Sequence, residues 1–466
     1  MAALWRTFVG SSLALNLTSV AGAMVLSRLI GLLTLGYTAR VFGPHGYGLV
    51  GYGSTIVAYA GIALSPGLLT WGVRAVAQDR PRAGMYLVAL NVTQVGLAAL
   101  AYLALVAFAL LAVPGADERH IIYLSGLVLF QTALAADWVF NGLEQIRIAA
   151  FLGLLTTALS TAGLLLFIHT PQDVFRLPVM MFGITSLTTA LCYWLLSRRI
   201  AFAWPSAQDF KAVWMSARSL SLMVALVVVV HYANNLLVQG YLGTAELGVF
   251  LAAFRLLELA STVPGLVSTV VLPRLARKLA ATPEEAKREA RTYARVLLLF
   301  GALAAALSLV EADGIIAFIY GNRFTGAAPL LRVMAVGIFF NFAITGYTNT
   351  LISFGSDRVM IAVVAVSALV AVGGGLVLVP RYGAMGGAMV IAAIDLAGFA
   401  VSVPEYRRKV GGLDFAGWLG PLLYGLGTIG LSLALQQLPL PLLVRLPLAA
   451  LPFAVGGWRQ VRAMLN

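Results

Sequence analysis

The sequence runs Ser27-Arg28-Leu29-Ile30-Gly31, stays apolar to Tyr37, then reads Ala39-Arg40-Val41-Phe42-Gly43-Pro44-His45-Gly46-Tyr47-Gly48. An arginine lies inside a hydrophobic segment long enough to cross a bilayer, and a Gly/Pro hairpin then starts a second such segment. A cation at that depth costs roughly 2.5–3.5 kcal/mol on insertion scales, so it usually marks a cavity or a substrate path. The tight turn makes the first two helices antiparallel neighbours.

Composition extends this reading to the whole chain of 466 residues, which is 61% hydrophobic and only 11% charged. Soluble domains carry roughly 25% charged residues. Runs of about 20 apolar residues place fourteen spans, near 13–38, 47–70, 84–112, 121–142, 147–168, 177–196, 216–241, 246–273, 292–310, 329–352, 358–379, 384–403, 415–436 and 442–458. The expected fold is an all-α polytopic membrane protein. The single cysteine, Cys192, excludes a disulfide framework within the chain.

The net charge of +13 needs no nucleic acid. With the N-terminus inside, twenty-two of the 31 Lys and Arg fall in inner segments and seven in outer ones, leaving Arg28 and Arg255 within spans. That asymmetry predicts that both termini are cytoplasmic. Residues 198–218 mix Arg198, Arg199, Lys211 and Arg218 with Trp204, Phe210 and Trp214, the composition of an interfacial helix on anionic lipid. Thr282-Pro283-Glu284-Glu285 reads as a helix start.

The chain also repeats. Gly43-Pro44-His45-Gly46-Tyr47-Gly48-Leu49 aligns with Gly243-Thr244-Ala245-Glu246-Leu247-Gly248-Val249 at an offset of 200, and Arg74 falls on Arg274. Pro66 and Pro264 lie in the two second helices, two residues out of step. Six spans separate the copies, so the halves share an orientation, the parallel-repeat arrangement of some transporters. The expected domains are an N-terminal lobe at 1–200, a C-terminal lobe at 201–410 and an appendage of two helices at 411–466.

Further motifs follow in order: Trp138-Val139-Phe140-Asn141-Gly142-Leu143-Glu144 ending span 4, Gly248-Val249-Phe250 opening span 8, Phe318-Ile319-Tyr320-Gly321 with Phe324, and Tyr382-Gly383-Ala384-Met385-Gly386-Gly387-Ala388. Together with the first hairpin, this series resembles the polysaccharide (Wzx-type) flippase family, in the superfamily that includes lipid II flippases and MATE exporters. Asn141 departs from the family's usual Gln, and Phe250 from its usual Tyr. The resemblance covers essentially the whole chain. It implies two six-helix lobes around a central cavity, working by alternating access on polyprenyl-pyrophosphate-linked glycans such as polysaccharide or O-antigen repeat units.

Candidate residues follow from that task. Arg is suited to phosphate because its planar fork pairs bidentately. Arg28 and Arg255 lie well inside spans, each roughly 14–15 Å from the outer end at 1.5 Å per residue. Snorkelling or pairing is the alternative for Arg28. Glu258, three residues on, offers Arg255 a structural ion pair. Arg40 is a rim or topology charge that could also meet substrate.

Asp395 in span 12 and Asp137 in span 4 could take up H⁺ or Na⁺ and couple an ion gradient to movement, with His231 and Glu258 as further candidates. Either acid could instead neutralise an arginine. His231, Asn234 and Asn235 form a polar patch for sugar binding or interhelical bonding. Asn341, Thr345 and Asn349 share one face of span 10, and Glu144 reads as structural.

No cofactor is expected, and no phosphate loop or metal motif is present. The chain therefore reads as a transporter rather than an enzyme. Its expected partners are the lipid-linked glycan, membrane lipids, and a polymerase or glycosyltransferases. A lipid II flippase, an ion-coupled drug antiporter and a membrane-embedded glycan ligase are the alternatives.

Overall fold

The computed structural model describes residues 12–64, 67–411 and 415–453, and among these the regular structure is helical throughout, without a strand. Contacts divide the chain into two compact units, residues 1–228 and 229–466. The sequence places the lobe boundary at 200.

In the first unit, α1 covers Ser12–Gly61 and α2 Gly67–Gln78, followed by α3 Ala83–Ala112. Short helices α4 Ala116–Gly126, α5 Val128–Ala133 and α6 Trp138–Gly142 precede α7 Ile146–Phe167 and α8 Arg176–Ser197. Helix α9, Ala207–Leu242, runs across the division. The second unit continues with α10 Thr244–Ala260, α11 Thr262–Ala281, α12 Pro283–Val310, α13 Ala312–Tyr320 and α14 Ala327–Ser353. It ends with α15 Asp357–Leu369, α16 Gly375–Tyr382, α17 Ala384–Val410, α18 Phe415–Gln436 and α19 Leu442–Ala449.

Twelve helices among the described residues are long and apolar enough to cross a membrane, and Leu442–Phe453 is a shorter apolar one. The count falls below fourteen for two reasons. The first two expected spans meet inside α1 at Gly43 (φ 67°, ψ −178°), and the last is short in its described part. The protein is thus a multi-pass membrane protein.

Gly243 adopts φ 83°, ψ 179° ahead of α10. Both glycines occupy a backbone region that essentially only glycine enters, as does Gly321 (φ 83°, ψ 177°) after α13. Pro66 lies outside the described residues.

Three expectations about continuity are corrected. Span 2 is interrupted by a 3₁₀ turn at Ile62–Leu64. Span 4 breaks into three short helices, with Leu134–Asp137 outside them. Residues 198–218 form no single interfacial helix: Ile200–Ser206 are non-helical, and the helix begins at Ala207 and continues into span 7 as one 36-residue element. The break follows from Pro205, which has no N–H to give a helix, and from Ser206 and Asp209, which form a capping box. The Ser206 N–H donates to Asp209 Oδ2 at 2.8 Å, and the Asp209 N–H donates back to Ser206 Oγ at 3.3 Å. The helix start at Thr282-Pro283 is where the sequence puts it, but α12 then runs unbroken for 28 residues into span 9.

Candidate functional site

The motif that ends span 4 owes its residue types to packing. Trp138, Val139 and Phe140 are buried in the core of the first unit. A Cβ on Gly142 would lie 2.7 Å from Val76 Cβ, and one on Gly72 would lie 2.7 Å from the Trp138 ring. Both glycines let α6 and α2 approach closely. Glu144 is the one non-glycine residue with positive φ among the described residues (61°), and its carboxylate meets Arg80 at 2.8 Å. Tyr320 and Phe324, from another motif, are buried rings 5.5 Å apart.

The candidate residues on α10, α14 and α17 of the second unit fall into three polar sets. On α10, Arg255 Nη1 donates to Glu258 Oε2 at 2.7 Å, one turn on, with both side chains about one-third exposed. The pair is a formed ion pair within a helix of half-buried surroundings. Between α14 and α17, Asn341 Nδ2 donates to Asp395 Oδ1 at 3.0 Å. Gly337 makes room for that carboxylate, since a Cβ there would lie 3.3 Å from Asp395 Oδ2. Asn349 Nδ2 donates to Ser268 Oγ at 2.8 Å, and Ser268 in turn donates to the Pro264 carbonyl at 2.6 Å. Tyr293 OH completes this set at 2.6 Å from Ser268 Oγ. Ser268 and Tyr293 carry no sequence signal of their own.

Helix α14 separates two environments. Asn341, Ile344, Thr345 and Asn349 are its half-buried positions between 341 and 350. On the other side, Ala335, Val336 and Phe339 line an almost wholly apolar cavity of about 250 Å³. Ala302 and Ala306 of α12 and Leu422 and Gly425 of α18 form its remaining walls. At 100° per residue Asn341 sits about 160° and Thr345 about 120° around the helix from Phe339, whereas Asn349 comes within about 40° of Ala335.

A further ionic group went unrecognised in the sequence. Glu311, at the end of α12 and only 1% exposed, accepts a hydrogen bond from Ser432 Oγ of α18 at 2.7 Å. Arg445 Nη2 of α19 stands 3.3 Å from its other oxygen. The acid looks like a loop residue and Arg445 like an outer topology charge, so nothing in the sequence links them.

The remaining candidates are placed as follows. Arg28 is in α1, but its side chain lies outside the described residues. Arg40 is exposed near Gly43, and His231 is exposed on α9 beside the Tyr232 ring. Asn234 and Asn235 are buried on the same helix, and neither side-chain atom of Asn234 has a partner. Asp137 is exposed at the break in span 4 rather than inside a helix. That position corrects the expectation of a buried carboxylate there. Among the described residues no group of three potential metal ligands occurs.

With this geometry the fold can be compared. It is similar to a lipid II flippase MurJ in an inward closed conformation (TM-score 0.78, 12% identity, 96% of this chain and 99% of that one). It is also similar to an inward-facing multidrug resistance MATE transporter of the MOP superfamily (TM-score 0.63, 14% identity, 91% and 100% covered). A MOP superfamily transporter from Pyrococcus furiosus, described by a binding pocket of reverse polarity, matches at TM-score 0.51 and 13% identity, with 89% and 94% covered. The chain therefore shares the all-helical fold of these transporters. No curated protein matches by sequence. The family model for polysaccharide biosynthesis proteins matches residues 13–278, more than half of the chain, and the chain belongs to that family.

Proposed function

We propose that the protein is a flippase carrying a polyprenyl-pyrophosphate-linked oligosaccharide from the inner to the outer leaflet of a cytoplasmic membrane, with both termini inside. The observation that carries this reading is the partition made by α14. Half-buried Asn341 and Thr345 face away from the residues that line an almost wholly apolar cavity, which suits a cargo with a hydrophilic head and a long hydrocarbon tail. Family membership supports the same class of cargo.

Arg255 supplies the cation for the pyrophosphate, with Arg28 as its counterpart in the first unit and Arg40 at the rim. Glu258 holds the Arg255 fork until phosphate displaces it. Asn341, Thr345 and Asn349 offer bonds to sugar, with Asn234 and Asn235 as a second set. Lobes of six spans rock to alternate access, and the last two helices shape the tail's path. An inside-negative potential favours outward movement of an anion by roughly 2.3 kcal/mol per charge per 100 mV. Asp395, bonded to Asn341, is the coupling carboxylate if an ion gradient contributes, with His231 exposed for proton exchange. The similarity to a lipid II flippase keeps lipid II itself as the second reading.

The test is Arg28→Gln and Arg255→Gln at unchanged expression in cells dependent on the transporter. Each should lower glycan export at least tenfold, and full export by both overturns the headgroup role. Asp395→Asn should abolish any dependence of transport on pH or Na⁺, and an unchanged dependence removes the carboxylate from coupling. Mass analysis of the lipid-linked product separates a flippase, which leaves every covalent bond intact, from a ligase.

A further inference from the structure

The non-helical strap after α8 and the start of α9 carry three exposed cations, Arg198 and Arg199 on the strap and Lys211 on the helix, and none of them forms an ion pair among the described residues. Three other cations of the first unit are paired: Arg80 with Glu144, Arg82 with Asp79, and Arg176 with Asp173. The strap's arginines rest on aromatic rings instead. Arg198 Cζ lies 4.0 Å from the Trp194 ring centroid, and Arg199 Cζ lies 5.6 Å from that of Phe140. A stacked guanidinium keeps its in-plane N–H groups free for a phosphate fork.

Trp194 at the end of α8 is 50% exposed, and the same strap exposes two large apolar side chains, Trp204 at 77% and Phe202 at 44%. Its backbone is nevertheless fixed. Ala201 packs so closely on the start of α3 that a Cβ on Gly84 would lie 2.1 Å from the Ala201 carbonyl oxygen. Pro205 is buried, and the Ser206–Asp209 box closes the far end. The strap joins two membrane-spanning helices, so these groups sit at the level of lipid headgroups.

We propose that this strap is a binding site for the phosphate headgroup of anionic phospholipid, with Arg198 and Arg199 as the forks, Lys211 as a third cation, and Phe202 and Trp204 set into the acyl boundary. Soluble anions match the cations but leave the aromatics uncovered, whereas a lipid covers both. The site is separate from the cargo route, and its existence does not depend on what the protein transports.

The purified full-length chain in neutral detergent is titrated with phosphatidylglycerol, phosphatidylcholine or glycerol 3-phosphate, and bound molecules are counted by native mass spectrometry. Phosphatidylglycerol should bind saturably and the other two at least tenfold more weakly. Arg198→Gln with Arg199→Gln should weaken phosphatidylglycerol about 30-fold, since each basic group near an anionic surface contributes a factor of about 5. Trp204→Ala should weaken it several-fold, and the paired Lys substitution should retain more binding than the paired Gln. Arg323→Gln, exposed in the other unit, should change nothing. Equal binding of phosphatidylcholine or of glycerol 3-phosphate overturns the proposal, as does unchanged binding in the Gln pair. If that pair does not fold, the Lys pair and Trp204→Ala decide, and wild-type affinity in both overturns it.

Discussion

Gly43 and Gly243 stand 200 residues apart and share one unusual backbone conformation, yet the units they belong to hold different chemistry. Buried polar groups in the helices of the first unit include neutral amides. Asn91, Gln94 and Gln131 each leave a carbonyl oxygen without a partner. The second unit has buried amides too, Asn234 and Asn235, and adds charged groups tied to partners along its helices: half-buried Arg255 with Glu258, half-buried Asp395 with Asn341, and buried Glu311 with Arg445. The repeat therefore preserves how chain segments join and not what their side chains do. Junction geometry is fixed by sterics that both copies must obey. Side-chain charge is free to diverge once each copy has its own task.

The largest effect should come from the most deeply buried of those pairs. Removing one member leaves the other charged in a dry site, which costs about 3–5 kcal/mol. Glu311→Ala should therefore lower the thermal-denaturation midpoint in detergent by several degrees. Arg445→Met should do at least as much, because it strands the Glu311 carboxylate at 1% exposure, whereas Glu311→Ala strands an arginine that keeps 18%. The double substitution should recover part of the loss. If Glu311→Ala leaves the midpoint unchanged, this pair does not hold α18 and α19 to α12. The contrast between the units would then rest on two pairs rather than three.

The next largest effect tests the likeness itself. Gly243 has open space around its missing side chain, so Gly243→Ala introduces no clash and isolates the backbone cost. A residue forced into this region costs about 1–3 kcal/mol. Gly43→Ala should show a midpoint loss of the same size, whereas Gly240→Ala, in a helix and equally open, should be neutral or stabilising. Unequal losses at 43 and 243 would mean that the two junctions are alike in angle and not in strain.

Much of this was legible in the chain. Apolar runs locate the spans because hydrocarbon demands about 20 residues whatever the neighbours are. The glycine junctions repeat as sequence because only glycine enters that backbone region. Arg255 and Glu258 announce themselves by their three-residue spacing. Longer-range pairs do not. Glu311 and Arg445 meet only because α18 and α19 pack on α12, and Ser268 finds Asn349 across α11 and α14. A single sequence holds no trace of such contacts. Breaks within spans 2 and 4 are equally silent, since an apolar run reads the same whether or not its helix is continuous. The strap at Ile200–Ser206 misled for a related reason: its residues have interfacial composition, but Pro205 and the Ser206 cap decide its shape.

That cap yields the smallest effect and one with a definite sign. Two bonds from Ser206, through its hydroxyl and its N–H, and the nearby Arg82 hold the Asp209 carboxyl below the ordinary carboxylate range. A depressed folded-state pKa means that the box contributes fully above the unfolded value of about 3.9 and is lost as pH falls through the folded value. Protease cleavage within 200–206 should accordingly stay flat from neutral pH down to the carboxylate range and rise only below it. Asp209→Ala should raise cleavage at neutral pH, where Asp209→Asn, which can still accept the Ser206 bonds, should raise it less. Because Asp209 lies on the surface, neither variant should move the denaturation midpoint as far as Glu311→Ala does. Cleavage that rises already between neutral pH and the carboxylate range would assign the strap's closure to another group. The ring-stacked arginines would then owe their fixed positions to the Gly84 contact alone.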